Sequence, residues 1–272
     1  MKSRKLLFFL SAVFFFNLSL AQVKLSSWNI RHMGKSKSEQ EIAFMAQTLR
    51  DYDIVAIQEV VAGNGGAQSV AKLADELSRT GFKWNYTVSQ PTQGGRYSSE
   101  RYAYLWKSSR VELIKKAWLD VDCIEDFERE PYFIKFKYKN EHFTLVNIHA
   151  VPKSKQPERE LKNLKLYPDL YPEENLIFLG DFNLPQSHTV FNPLKSKGFF
   201  PALVNQKTSL KMRCISNECL ASEYDNLFID SKVFSVLGSG VNLFHELYPD
   251  LKSARKISDH IPVWVEFDFR KN

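Results

Sequence analysis

Eight polar residues stand at one end or the other of apolar runs in this chain: Asn29, Glu59, His149, Asp181, Asn183, Asp225, Asp259 and His260. Their side chains are four carboxylates, two imidazoles and two amides. Oxygen donors of this kind suit a hard divalent cation such as magnesium, or manganese in its place. An imidazole titrates near neutral pH, so one can take a proton from water while a second gives one to a leaving oxygen. A cation, amide donors and an acid–base pair together suit hydrolysis of an anionic phosphoester, whose charge grows under attack. The two histidines are too scattered for a His-rich zinc site, and the three cysteines do not have the spacing of a Cys-based one. Neither a P-loop nor a Gly-x-Ser-x-Gly elbow occurs.

Singly, each residue has a plainer reading. Glu59 can mark a strand end, His149 can be a satisfied core histidine, Asp225 can cap a turn, and Asp259-His260 can be a surface pair. Asp181 and Asn183 after a glycine are common turn residues. Their joint occurrence, at the ends of separate strands, is what points to a site.

The elements that must position them follow from hydrophobic patterning. Leu176 to Leu179 is an unbroken apolar run, the mark of a strand buried on both faces. Gly180 lets the chain turn, and Asp181 and Asn183 follow at the C-terminal end, where open α/β sheets hold ligands. Val23 to Ile30 is a strand carrying Trp28-Asn29, and Asp53 to Glu59 is a buried strand that closes in an acid. His142 to Ile148 leads into His149, Asp225 into the strand Asn226 to Ile229, and Asp259-His260 into Ile261 to Phe269. Between them, Ser38 to Glu41 is a capping box for a helix burying Ile42, Met45, Ala46 and Leu49. Ala67 to Thr80 is a second helix, with Gly81 as its C-cap. Phe82 to Ser89, Arg101 to Lys107, Val111 to Leu119 and Tyr132 to Tyr138 read as successive strands of one antiparallel meander. Further helices are expected from Pro157 towards Leu166 and from Ser187, followed by a loop carrying two cysteines. Two packed sheets with helices outside them is the architecture this order predicts.

With 272 residues, 44% of them hydrophobic, the chain can fill one sizeable core, and no repeat or Pro/Ser-rich linker divides it. Residues 1–21 have the form of a signal peptide. Lys2, Arg4 and Lys5 are a basic start, Leu6 to Phe16 an apolar stretch, and Ser19-Leu20-Ala21 a cleavage site before Gln22. The apolar stretch is short for a membrane span. The expectation is a secreted or periplasmic protein with one catalytic domain over residues 22–272, monomeric and with no obligate protein partner. Cleavage removes three cations and no acid, taking Lys+Arg from 37 to 34 against 31 acids, so the net charge falls from +6 to +3. Such a balance permits a polyanionic substrate without requiring one. In an oxidising compartment Cys214 and Cys219 can close a short disulfide loop, leaving Cys123 over.

This constellation resembles the endonuclease/exonuclease/phosphatase superfamily. Its hallmarks stand here as Trp28-Asn29, Gln58-Glu59, His149, Gly180-Asp181-Phe182-Asn183 and Ser258-Asp259-His260. Glu100-Arg101-Tyr102, Arg129-Glu130-Pro131, Tyr224-Asp225 and Ile257 to Val263 are similar to the pancreatic-type deoxyribonuclease I branch. The resemblance implies a four-layer α/β sandwich, two packed and mainly antiparallel sheets flanked by helices, that hydrolyses phosphodiesters with a divalent metal. It implies Glu59 as the metal carboxylate, with Asp259 and Asn29 helping to hold metal or phosphate. Asp181 and Asn183 would orient phosphate and attacking water. His149 and His260 would be the acid–base pair, supported by Glu100 and Asp225, and Arg129 would contact substrate phosphate. It also suggests a structural calcium in the acidic loop containing Asp120, Asp122, Glu125, Asp126 and Glu128, where a solvated loop is the plainer reading.

Two positions depart from that branch. Its groove-entering arginine is replaced by Val61, and its sugar-stacking tyrosine by Ser98, with Tyr97 one position away. Losing both contacts weakens minor-groove docking and leaves the hydrolytic groups intact. DNA is therefore the expected substrate. The alternative is a phosphatase or phosphodiesterase acting on a sphingomyelin-like or inositol phosphate head group. A binding protein without catalysis is the third reading, and it is disfavoured because no catalytic position is lost.

Overall fold

The computed structural model describes residues 22–94, 99–121 and 127–271. The expected leader, the groove positions Tyr97 and Ser98, Cys123, and the acidic residues Asp122, Glu125 and Asp126 lie outside the described residues. In chain order the strands are β1 (Val23–Met33), β2 (Ile54–Val61), β3 (Trp84–Val88), β4 (Glu100–Lys107), β5 (Glu112–Leu119), β6 (Tyr132–Tyr138) and β7 (Glu141–His149). They continue as β8 (Leu176–Asp181), β9 (Phe199–Pro201), β10 (Leu210–Ile215), β11 (Glu218–Leu220), β12 (Asp225–Asp230), β13 (Phe234–Val241) and β14 (Val263–Phe269).

Two six-stranded sheets result, ordered β13-β14-β1-β2-β4-β3 and β5-β6-β7-β8-β12-β9, while β10 and β11 form a separate hairpin. Each large sheet is antiparallel except at its centre, where β1 pairs with β2 and β7 with β8 in parallel. Asn29 and Glu59 belong to the first parallel pair, and His149 and Asp181 face one another in the second.

Strand periodicity explains the layers. In β2, Ile54 and Ala56 face the space between the sheets, while Val55 and Ile57 face the helices. In β8, Ile177 and Leu179 face inward, and Leu176 and Phe178 face the helices on the other side. Helices α1 (Glu39–Leu49) and α2 (Gly66–Ser78) cover the first sheet. Short helices over Glu158–Leu161, Tyr167–Leu170 and Asn192–Ser196 cover the second. This is the four-layer α/β sandwich expected from the sequence. The capping box at Ser38 is present: Glu41 N–H donates to Ser38 Oγ, and Ser38 N–H to the Glu41 carboxylate.

Four local expectations are corrected. The strands from Phe82 to Tyr138 are not one meander, because the chain crosses from the first sheet to the second between β4 and β5. The helix expected from Pro157 is broken into α and 3-10 turns with Tyr167–Leu170. The helix from Ser187 begins only at Thr189, as a 3-10 turn leading into Asn192–Ser196. The cysteine loop is a hairpin, closed by a Cys214–Cys219 disulfide with Cα atoms 4.2 Å apart.

Candidate active site

The strand ends converge on Asp181. Gly180 makes this possible: its φ is +137°, and a Cβ there would stand 1.9 Å from the Ile148 carbonyl oxygen. Asp181 is 1% exposed. Its Oδ1 accepts from Asn183 N–H at 2.9 Å, and its Oδ2 from Asn29 Nδ2 at 3.0 Å. Asn183 turns at a φ of +51° and donates its amide to the Ala150 carbonyl.

Two imidazoles approach the same oxygen. His149 Nε2 lies 3.6 Å from Asp181 Oδ2, and His260 Nε2 lies 3.7 Å from it. Each ring is held from behind by a carboxylate: His149 Nδ1 donates to Glu100 Oε1 at 2.7 Å, and His260 Nδ1 to Asp225 Oδ2 at 2.7 Å. An ionised carboxylate only accepts, so both rings carry their Nδ1 protons and turn Nε2 towards Asp181. Glu100 lies on β4 of the first sheet and His149 on β7 of the second. His260 lies three residues before Val263, where β14 of the first sheet begins, while Asp225 opens β12 of the second.

Burial lowers the His149 pKa, but Glu100 and Asp181 outweigh it and leave the ring raised. Burial opposes the charge on His260 too, yet Asp225 and Asp181 push it up to about 10. Burial would raise Asp181, but the two imidazoles hold it below its ordinary value. Asp225 is raised by burial and by the nearby Asp181, so it and His260 grip one tightly held proton. We place that proton on the imidazole, because Thr208 Oγ1 also donates to Asp225 Oδ2.

Glu59 stands beside this centre in a left-handed conformation, φ +60°, where the register of β2 against β4 breaks. Such a break re-aims the side chain. Its Oε1 accepts from Asn29 Nδ2 at 3.1 Å and its Oε2 from His32 N–H at 3.3 Å. Burial opposes its charge, but His149, Asn29 and His260 leave it more acidic than usual. Asn29 Oδ1 is buried and has no hydrogen-bond partner. An anionic Glu59 with an orphaned amide oxygen beside it fits a hard divalent cation. Donor atoms of Asp181, Asp225 and His260 also cluster within 4.8 Å of one another. That trio is already an ion-pair relay, so the Asn29–Glu59 edge is the better cation seat.

The other expected residues are placed as follows. Asp259 faces Arg31 and Arg255, at 3.4 and 3.2 Å. Arg129 is buried, donating to the carbonyls of His149 and Ala150 with Nη1 4.0 Å from Glu100. Asp120, from the acidic loop, accepts from Tyr167 and Tyr171 hydroxyls. Three hallmark residues, named in the sequence without a role, make contacts that only the fold reveals. Ser258 Oγ donates to the Asn29 carbonyl and accepts from His260 N–H. Trp28 Nε1 donates to the His260 carbonyl, and Gln58 donates to Asn147 across the sheets. Their adjacency to Asn29, Glu59 and Asp259-His260 was the signal in the sequence; their partners were not. A cavity of about 660 Å³ between the hairpin and residues 243–251 contains none of the catalytic candidates, so chemistry rather than volume marks the site.

The Endonuclease/Exonuclease/phosphatase family model matches residues 26–260, from β1 through His260. The chain belongs to this family. Its phosphoester-cleaving members include relatives similar to this chain over most of its length. A deoxyribonuclease of Thioalkalivibrio sp. (strain K90mix) is 30% identical, the match covering 92% of this chain and 72% of that one. Deoxyribonuclease-1 of Bos taurus is 28% identical, with 89% and 91% covered. A solved mannosyl-6-phosphatase of Bacteroides thetaiotaomicron has the same fold, with a TM-score of 0.63 at 20% identity and coverage of 91% and 100%. As a member of the endonuclease/exonuclease/phosphatase family with deoxyribonuclease relatives, the protein is a hydrolytic enzyme of the nuclease and phosphodiesterase type.

Proposed function

We propose that this enzyme is a secreted or periplasmic, magnesium- or manganese-dependent endonuclease that nicks DNA. The observation that carries the reading is the convergence of His149 Nε2 and His260 Nε2 on Asp181, each ring backed by its own carboxylate. One imidazole takes the proton of the attacking water, and the other delivers a proton to the leaving oxygen. Glu100 and Asp225 hold the tautomers and favour the charged ring that forms. Asp181 and the Asn183 amide orient water and phosphate, and Asn29, Glu59 and Asp259 are the cation-side residues. A bound divalent ion would supply charge neutralisation for the phosphate. The deoxyribonuclease relatives support DNA as the substrate, and the leader expected over residues 1–21 supports export.

Val61 favours a second reading, hydrolysis of a non-nucleic phosphoester. The position that would enter a DNA groove carries no charge, and a sugar phosphatase shares the fold. One assay series separates the two. The purified protein is given plasmid DNA, RNA, bis(4-nitrophenyl) phosphate and sphingomyelin, each with magnesium, manganese or chelator. Metal-dependent conversion of supercoiled to nicked plasmid is expected. Cleavage of sphingomyelin or bis(4-nitrophenyl) phosphate with DNA untouched would replace the nuclease reading.

A further inference from the structure

Thr208 lies outside every recognised motif, yet it is fully buried at the foot of the Asp225–His260 pair. Its Oγ1 is 2.6 Å from Asp225 Oδ2, the oxygen that also accepts from His260 Nδ1. The same hydroxyl accepts from the N–H groups of Tyr224 and Asp225, at 3.2 and 3.0 Å. Its main chain is equally committed: the Thr208 carbonyl accepts from Ile261 N–H at 2.8 Å, and Thr208 N–H donates to Ser222 at 2.7 Å. Ser209, the next residue, bridges to His260.

The direction of the hydroxyl proton follows from counting. A threonine hydroxyl has one hydrogen and two acceptor lone pairs. Two backbone N–H groups occupy the lone pairs, so the hydrogen goes to an acceptor. The carboxylate at 2.6 Å outcompetes the Ser222 carbonyl at 3.4 Å. Asp225 Oδ1 is buried without a partner, so the carboxylate is held through Oδ2 alone, by His260 and Thr208. Without Thr208 that carboxylate would pivot on a single bond, and the imidazole it orients would pivot with it.

We infer that Thr208 is a positioning residue, whose hydroxyl locks the Asp225 carboxylate and thereby aims His260 Nε2 at the reacting phosphate. The inference rests on the proposed acid–base role of His260. Thr208→Val keeps the shape and removes the hydroxyl, and Thr208→Ala is the deletion variant to use should Val not fold. Rates are measured on plasmid DNA and on bis(4-nitrophenyl) phosphate. Either variant should lower kcat about 10- to 100-fold, the worth of one hydrogen bond to a charged group. KM should hold steady, and Thr208→Ser should restore most of the rate. In an Asp225→Asn background the same change should cost less than about twofold, since residues acting as a unit are non-additive. Undiminished kcat in Thr208→Val, an equal loss in both backgrounds, or no rescue by serine would overturn the inference. If Asp225→Asn and His260→Ala themselves keep full rate, or the wild type turns over neither substrate, the acid–base reading fails and takes the inference with it.

Discussion

Asn29 and Asp181 belong to different sheets, yet Asn29 Nδ2 donates to Asp181 Oδ2 across 3.0 Å of buried space. The same nitrogen also reaches Glu59 Oε1 at 3.1 Å. One amide therefore joins Glu59, the proposed cation ligand, to the carboxylate between the imidazoles.

Glu59→Gln tests that cation edge. The change keeps the shape and removes the charge, so phosphodiesterase activity should disappear while the melting temperature holds within a few degrees. Chelator should mimic the variant in the wild type. Calorimetric titration with magnesium should show weakened binding in the variant; equal affinity would place the cation elsewhere.

His149→Ala and His260→Ala should each slow hydrolysis by about 10²–10⁴-fold, the usual span for lost general acid–base help. The double variant should cost less than the product of the single losses. A single variant with near wild-type rate would return that histidine to an ordinary core role.

Val61 pairs with Glu100 in the β2–β4 register and packs closely on Gly34. Beside it, a cavity of about 520 Å³ is lined by Lys35, Lys37 and Lys72, with no acid. Val61→Arg should tighten DNA binding and steepen its salt dependence by about 0.9 in logarithmic slope for each phosphate newly contacted. Turnover of bis(4-nitrophenyl) phosphate should barely change. The check is binding measured across a salt series; an unaltered slope means that position 61 does not meet DNA.

Lys37 gives a pH signature away from the imidazoles. Its Nζ donates to the carbonyls of Lys256 and Ile257, closing the helix Leu251–Ile257. Burial lowers its pKa to about 8 from 10.5, against the opposing pull of Glu41, Asp259 and Glu59. The folded state therefore releases this proton first, and the unfolded chain binds more protons between pH 8 and 10.5. Stability from this group should rise with pH across that window. Urea denaturation of wild type and Lys37→Met should show the rise only in the wild type; parallel pH profiles would contradict it.

The strand-end residues were legible because each stands at one end of an apolar run, and several polar groups gathered at such ends mark a site. The crossing from β4 to β5 was not legible. Residues 108–111 connect two sheets over a distance that a hairpin loop spans equally well, and pairing is a non-local property. The strand β13 also escaped reading. Gly238 and Gly240 interrupt its pattern, and the structure shows why they are tolerated: Trp264 lies over both, and a Cβ at Gly240 would come within 3.1 Å of its ring. Thr208 gave no signal at all. A Lys-Thr-Ser sequence before a strand reads as a turn, and only the fold brings its hydroxyl to Asp225.

Each imidazole takes its carboxylate from the opposite side of the sandwich: Glu100 reaches across to His149, and Asp225 to His260. Neither half of the molecule owns a complete unit of the proposed acid–base pair. Turnover is thus a gauge of how the sheets are seated on one another. A slight parting of the layers, by heat or a poorly filled interior, uncouples both rings at once and silences the enzyme while its strands are still intact.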